Sequence, residues 1–244
     1  MHASLSSSHE SQYPIQFQIL TLFPEMIHPY VQSSMIGKAQ TKGLIEIAAI
    51  DIRKFTHDKH LKVDDTPYGG GAGMVLMCQP IDDALASLAL DNPTLGSTKL
   101  LLTSPAGKPF IQETAKQWAA TYQRFVILCG HYEGFDERIH TLYPEIEEVS
   151  IGDFVLTGGE LPALCLVDAL ARMVPGVVKE EASVVHDSFY DGILDHPHYT
   201  RPAVYKDIAV PQVLLSGNHA HIEAWRKTQA MERTKQRRPD LLSP

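Results

Sequence analysis

Apolar segments of strand length alternate with helical segments along most of this chain, and that order constrains the fold more than any other feature. The predicted strands are 15–22, 44–52, 99–103 and 124–129, and the predicted helices are 24–42, 79–90, 111–122 and 161–173. Alternation of this kind predicts an α/β fold with a mostly parallel sheet between helices. Ligands of such folds bind at the carboxyl ends of strands.

Two glycine-bearing segments stand at the ends of predicted buried strands, 103–107 (TSPAG) and 130–138 (GHYEGFDER), and a third, 151–160 (IGDFVLTGGE), lies just before the predicted helix 161–173. Backbone amides and carbonyls in such loops can approach a flat ligand closely and read its edges. Adenine is a ligand of this kind, so the pattern indicates a nucleoside cofactor without naming it. A fourth glycine run, 68–74 (YGGGAGM), lacks the Lys-Ser/Thr of a P-loop, and no G-x-G-x-x-G follows the first strand. Taken alone, this run predicts a turn with positive φ.

The composition excludes several classes of protein. The three cysteines have no C-x-x-C spacing, which argues against a disulfide framework and a thiolate metal site. Histidines occur in close pairs, including His196 with His198, but no further ligand is in register, so the sequence predicts no protein metal site. The sequence has no G-x-S-x-G motif, which argues against a serine hydrolase. Without a signal peptide or an apolar run of about 18 residues, the expected location is the cytoplasm.

Charge is distributed unevenly along the chain. The net charge is −8, yet the region from Arg201 onward holds eight Lys/Arg and four Asp/Glu, a local balance of +4 against −12 elsewhere. Asn218 is a candidate N-cap of a helix reaching about residue 238, on which Arg226, Arg233 and Arg237 fall on one stripe. This stripe predicts contact with nucleic-acid phosphates, and a solvated helix face remains the alternative.

A general base could come from several carboxylates near Arg172. The residue pattern does not choose among Asp168, Asp187, Asp191 and Asp195, each of which could equally be a surface or capping group.

Nine ordered blocks between about residues 17 and 242 resemble the bacterial tRNA (guanine-N1)-methyltransferases of the TrmD family, within the SPOUT superfamily. They are LFPEM (22–26), FTHD (55–58), DDTPYGGGAGM (64–74), GHYEGFDER (130–138), SIGDFVLTGGELPA (150–163), PGV (175–177), DSF (187–189), HYTRP (198–202) and LLSGNHAHIEAWR (214–226). Nine blocks in one order make chance similarity a poor explanation.

The resemblance implies a particular version of the α/β fold. The parallel sheet would carry a deep trefoil knot in its C-terminal part, an exception to the general avoidance of threaded loops. A small, mostly helical domain would follow. The expected organisation is a disordered extension (1–16), a SPOUT methyltransferase domain (17–177), a flexible linker (178–197) and a helical tRNA-binding domain (198–244). A homodimer with active sites shared between subunits is also implied.

The family also implies an activity and its residues. Methyl transfer from S-adenosyl-L-methionine to N1 of guanosine 37 in tRNA is expected, with magnesium held without a dedicated protein site. Asp187 and Arg172 match the catalytic positions. The matching cofactor-binding positions are Ser104, Pro105, Gly130, Tyr132, Glu133, Gly134, Ile151, Gly152, Asp153, Phe154, Val155, Leu156, Gly158 and Gly159.

The chain departs from the family pattern at a few positions. It has a polar N-terminal extension, His131 where many members have Arg, Phe135 where a smaller aliphatic residue is usual, and His196 where Cys is common. Three other functions fit the sequence less well. A SPOUT methyltransferase of ribosomal RNA is disfavoured by the DSF and HYTRP blocks, and a non-catalytic RNA-binding protein by the presence of Asp187 and Arg172. A Rossmann-type methyltransferase is disfavoured by the missing glycine-rich turn.

Overall fold

The computed structural model describes residues 14–90, 92, 95–180 and 187–242. The chain divides into two compact units, Met1–Lys179 and Glu180–Pro244. Most of the predicted N-terminal extension, residues 1–13, and residues 181–186 of the predicted linker lie outside the described ranges. The extension had been expected to reach residue 16, but Ile15 and Gln16 already belong to the first strand, because both pair with the neighbouring strands.

Unit 1 is built on a five-stranded sheet in which every neighbouring pair is parallel. Its strands are β1 (Ile15–Thr21), β2 (Ile45–Asp51), β5 (Thr98–Pro109), β6 (Arg124–Cys129) and β7 (Glu147–Ser150), in the order β2-β1-β6-β5-β7. Two further strands, β3 (Asp64–Asp65) and β4 (Val75–Leu76), form a small antiparallel ladder. The predicted α/β fold with a parallel sheet is therefore confirmed.

The helices of unit 1 are α1 (Pro24–Val31), α2 (Ser34–Thr41), α3 (Cys78–Ser87), α4 (Gln112–Thr121), α5 (Arg138–Leu142) and α6 (Glu160–Ala171). Apolar residues on the two faces of the sheet form two separate core clusters. The central strand β6 contributes to both, because all six of its residues are buried. Its first residue, Arg124, donates from Nε and Nη2 to Gln18 Oε1 and from Nη2 to the Leu88 carbonyl, at 2.6 to 2.8 Å, while its Nη1 atom is buried without a hydrogen-bond partner in the described structure.

Several elements differ from the sequence expectations. The single helix predicted over 24–42 is two helices, since Ser33 adopts an extended conformation after Pro29 has removed one helical donor. Gly43 does follow the second helix with a φ of +69°. Strand β7 was not predicted, because it is a short edge strand whose sequence, EEVS, has no apolar run. In the glycine run, Gly69, Gly70, Gly71 and Gly73 all have positive φ, which confirms the predicted turn.

Unit 2 contains the hairpin β8 (Val204–Tyr205) and β9 (Ile208–Ala209), a short helix α7 (Gln212–Leu215) and the long helix α8 (His219–Arg237). The Asn218 side chain caps α8 by accepting a hydrogen bond from the His221 amide, as predicted. Residues 187–197, expected to belong to a linker, pack within this unit: the Leu194 amide donates to Thr234 Oγ1 at 2.9 Å. None of the helices in the described ranges combines the length and apolar character that a bilayer crossing requires.

Candidate functional site

A cavity of about 330 Å³ opens at the carboxyl ends of β6 and β7 and beside the middle of β5, where the pairing with β7 shifts register between Thr103 and Lys108. The three glycine-bearing segments expected to bind a cofactor converge there. Of the fourteen cofactor positions implied by the resemblance, thirteen line this cavity and Asp153 is not among the lining residues. The thirteen are Ser104, Pro105, Gly130, Tyr132, Glu133, Gly134, Ile151, Gly152, Phe154, Val155, Leu156, Gly158 and Gly159.

Close backbone packing brings the three segments together. The Gly159 amide donates to the Gly130 carbonyl at 2.8 Å, which joins the third segment to the second. A Cβ at Gly159 would lie 2.6 Å from the Gly130 nitrogen and 2.7 Å from Cα of Cys129, distances that real Cβ atoms do not show. Gly107 of the first segment is equally close to the backbone of β7, because a Cβ there would lie 2.6 Å from the Val149 carbonyl carbon. Glycine is needed at these positions because the neighbouring backbone leaves no room for a Cβ. An unusual backbone conformation is not the reason at Gly159, since its φ of −84° is ordinary for a helix.

A buried polar cluster adjoins the cavity through His131, which is one of the lining residues. Glu160, the first residue of α6, is only 1% exposed, and its carboxylate accepts a hydrogen bond from Thr21 Oγ1 at 2.5 Å. The Nε2 atom of His131 lies 2.8 Å from both oxygens of the same carboxylate. Thr21 ends β1 and His131 follows β6, so one side chain at the start of α6 ties two strand ends together.

Neither Glu160 nor His131 was singled out as a functional residue from the sequence. His131 was noted only because it replaces an arginine that many family members have at that position. A cationic or hydrogen-bonding side chain at residue 131 can bind the Glu160 carboxylate, which is otherwise removed from water. Their positions within the GHYEG and GGE sequences are the signal that could have identified them.

The cavity combines backbone polar groups with apolar side chains. Phe154, Val155 and Leu156 are exposed along one wall, at 54%, 82% and 38%. Phe135, a departure from the family pattern, also lines the cavity, and its ring would lie 3.2 Å from a Cβ at Gly130. The Phe135 ring therefore packs closely against the backbone at Gly130. Such a surface suits a ligand with one flat apolar part and several hydrogen-bonding edges.

The two proposed catalytic residues belong to different units. Arg172 is half-buried at the C-terminal end of α6 in unit 1. Asp187 is half-buried at the start of a turn in unit 2. Each takes part in an interaction within the described structure.

The other candidate bases have different surroundings. Asp168 accepts a hydrogen bond from Tyr30 Oη at 2.6 Å, and this bond raises the pKa of Tyr30 to about 12. Burial acts to raise the pKa of Asp195, but hydrogen bonds from His198 and the His196 amide outweigh it, so this pKa is lowered. Asp191 is exposed. Asp168 and Asp195 thus already accept hydrogen bonds from side chains within the protein.

The predicted arginine stripe lies on α8. Arg226 and Arg237 are exposed, as phosphate contact requires, whereas Arg233 is half-buried with Nη1 3.4 Å from the Asp195 carbonyl. Arg233 and Arg237 also line a second cavity, in unit 2, together with Ser188, Leu194, Asp195, His196 and His198.

One side-chain cluster in this second cavity was not expected. Asp195, His196 and His198 place one ligand atom each within 4.8 Å of one another. The spacing of the two histidines alone had given no reason to predict a metal site. The third possible ligand is the carboxylate directly before them.

Comparison with known proteins agrees with this geometry. The family described as tRNA (Guanine-1)-methyltransferase TrmD matches residues 15–244. The chain belongs to this family. A tRNA (guanine-N(1)-)-methyltransferase of Exiguobacterium sp. is 53% identical over 228 residues, which cover 93% of this chain and 92% of the relative. The protein of the same name from Bacillus subtilis is 49% identical, covering 93% of this chain and 92% of the relative.

A third relative, from Ruminiclostridium cellulolyticum, has the same name and is 49% identical over 231 residues, covering 94% of this chain and 97% of the relative. The resemblance inferred from the nine blocks is therefore confirmed. Membership in an enzyme family whose named relatives methylate a guanine nitrogen of tRNA also disfavours the non-catalytic RNA-binding alternative.

Proposed function

We propose that this enzyme transfers a methyl group from S-adenosyl-L-methionine to N1 of guanosine 37 in tRNA, next to the anticodon. The observation that carries the proposal is the convergence of three glycine-bearing segments on one cavity in a chain of the TrmD family. Family membership supports the tRNA guanine as substrate. The position within the tRNA and the methyl donor rest on the resemblance together with the cavity.

The cavity fits a bent nucleoside cofactor. Its volume of about 330 Å³ lies in the range of small-ligand sites. Backbone groups of 130–134 and 151–156 can hydrogen-bond the edges of an adenine, while Leu156 and Phe154 offer apolar contact to its faces. When bound, S-adenosyl-L-methionine supplies a methyl group already activated on a sulfonium. The protein therefore needs only to orient the acceptor nitrogen and remove its proton.

Asp187 is the proposed general base. The carboxylate would take the N1 proton, which leaves the N1–H electron pair on the nitrogen for the new bond to methyl. The methyl–sulfur bond would break at the same time, and its electron pair would stay on the sulfur as a neutral thioether. Arg172 would orient that carboxylate and offset negative charge on the guanine. A stacked guanine is out of reach, so the base must be splayed from its loop and read by its edges.

The proposed architecture follows the family. The order of the strands supports a trefoil knot. Strand β7 lies at the edge of the sheet beside β5, yet the segment that follows β7 comes back to the end of β6, where the Gly159 amide donates to the Gly130 carbonyl. We also propose a homodimer whose active sites each combine cofactor loops from one subunit with residues 178–195 of its partner. Magnesium would sit near substrate or cofactor without a dedicated protein cage at the active site. The basic stripe on α8 would hold tRNA phosphates.

The decisive experiment measures transfer of labelled methyl from S-adenosyl-L-methionine to unmodified tRNA transcripts. We expect methylation of a transcript with guanosine 37 and none of the matched transcript with adenosine 37, followed by identification of 1-methylguanosine in the digested product. Equal labelling of both transcripts would reject position 37. Labelling of ribosomal RNA but not tRNA would reject the substrate.

A further inference from the structure

The cluster Asp195, His196 and His198 has the composition of a metal-binding site. Oδ2 of Asp195 lies 2.7 Å from Nε2 of His198, and Oδ1 lies 2.8 Å from Nδ1 of His196. The three ligand atoms lie within 4.8 Å of one another. Ligand atoms around a tetrahedral zinc ion are about 3.3 Å apart, given bonds of about 2.0 to 2.1 Å. The Asp195 carboxylate thus contacts one histidine through each oxygen, and rotation of these side chains would bring one atom of each residue to the spacing of a common ion.

His196 has an unmet requirement. Its side chain is 12% exposed, and its Nδ1 atom is buried without a hydrogen bond in the described structure, although a carboxylate oxygen is nearby. That oxygen already accepts the His196 backbone amide at 2.6 Å. A buried ring nitrogen without a hydrogen bond costs free energy, and coordination to a cation would satisfy it.

Two hydrogen bonds from backbone amides hold the start of the segment that carries the cluster. The Asp195 amide donates to Ser188 Oγ at 3.0 Å, and the preceding Leu194 amide donates to Thr234. Pro197 separates the two histidines and restricts the backbone between them. Their rings are 4.4 Å apart at 90°. Because this segment is already held in place, binding a metal ion would cost little additional conformational entropy.

We propose that Asp195, His196 and His198 bind a divalent transition-metal ion, of which Zn²⁺ is the closest chemical match. Two imidazoles and one carboxylate suit Zn²⁺ better than Mg²⁺, which prefers oxygen ligands. Three protein ligands leave at least one coordination position open. Arg233 and Arg237 line the same cavity, so their charge lowers the affinity for a bare cation.

The test is titration of the untagged full-length protein with Co²⁺, whose visible absorption reports nitrogen ligands in a tetrahedral site. We expect one ion per chain, displaced by Zn²⁺, and a rise in unfolding temperature on binding. His198→Gln should weaken binding by at least roughly tenfold, and its exposed position leaves the fold intact, which circular dichroism checks. Asp195→Asn should do the same.

Two matched variants locate the site. His219→Asn/His221→Asn removes an exposed histidine pair elsewhere in unit 2 and should leave Co²⁺ binding unchanged. Arg237→Gln removes a nearby positive charge and should tighten binding by about two- to tenfold. The proposal is overturned if the wild-type protein shows no saturable Co²⁺ spectrum, or if His198→Gln binds as well as the His219/His221 control.

Discussion

Replacing Gly159 with alanine tests whether close packing of the cavity loops is what builds the site. The helical φ of −84° at Gly159 is one that alanine adopts freely, so backbone strain contributes nothing. The added Cβ would instead lie 2.6 and 2.7 Å from backbone atoms of Gly130 and Cys129. Those atoms belong to the end of the central strand and cannot move as a flexible side chain would.

The size of the effect follows from these contacts. Overpacking against fixed atoms costs about 1–3 kcal/mol. Loss of the hydrogen bond from the Gly159 amide to the Gly130 carbonyl adds about 1 kcal/mol. We therefore expect the free energy of unfolding to fall by roughly 2–4 kcal/mol, measured as a shift of the urea midpoint at constant slope. Displacement of both loops should also weaken S-adenosyl-L-methionine binding by at least roughly tenfold in calorimetry.

Gly43→Ala is the matched control. Gly43 has a φ of +69° and nothing within 4 Å of an added Cβ, so its substitution costs about 1–2 kcal/mol through backbone strain alone. It lies after α2, outside the cavity lining, and cofactor affinity should be unchanged. If Gly159→Ala binds cofactor within twofold of wild type, or weakens binding no more than Gly43→Ala does, close packing of the loops is not what forms the site.

Three further predictions concern the proposed reaction. Asp187→Asn should slow methyl transfer by about 10² to 10⁴ in single-turnover assays at saturating cofactor and tRNA while cofactor still binds, and a loss under threefold would place the base elsewhere. Mixing Asp187→Asn subunits with subunits inactivated at Gly152 should restore part of the activity, and inactive mixtures despite verified subunit exchange would reject a shared site. Changing Arg226, Arg233 and Arg237 to Gln should reduce the salt slope of tRNA binding by roughly one per lost contact, whereas an unchanged slope would leave them as helix surface.

The local sequence was enough to predict the parallel sheet and the position of the cavity. Strand β6 is an unbroken apolar run, and the glycines at 130, 158 and 159 follow or adjoin buried segments, so both signals lie within a few neighbouring residues. The predicted caps at Gly43 and Asn218 were correct for the same reason. Helix breaks were harder, since the split between α1 and α2 depends on the conformation of Ser33.

Only the tertiary structure decided which distant side chains meet. Thr21 and Glu160 are 139 residues apart, and nothing local indicates that a buried carboxylate at the start of α6 would be satisfied by the ends of β1 and β6. Strand β7 forms because an edge of the sheet is available beside β5, not because its own sequence is apolar. Likewise, the segment that carries Asp195 is held against α8 by the hydrogen bond from the Leu194 amide to Thr234 Oγ1, 40 residues away in the chain. Hydrophobic periodicity and the placement of glycines depend on residues that are close in the chain, so they can be recognised in the sequence. The partners of buried polar groups depend on how the whole fold packs, so they cannot.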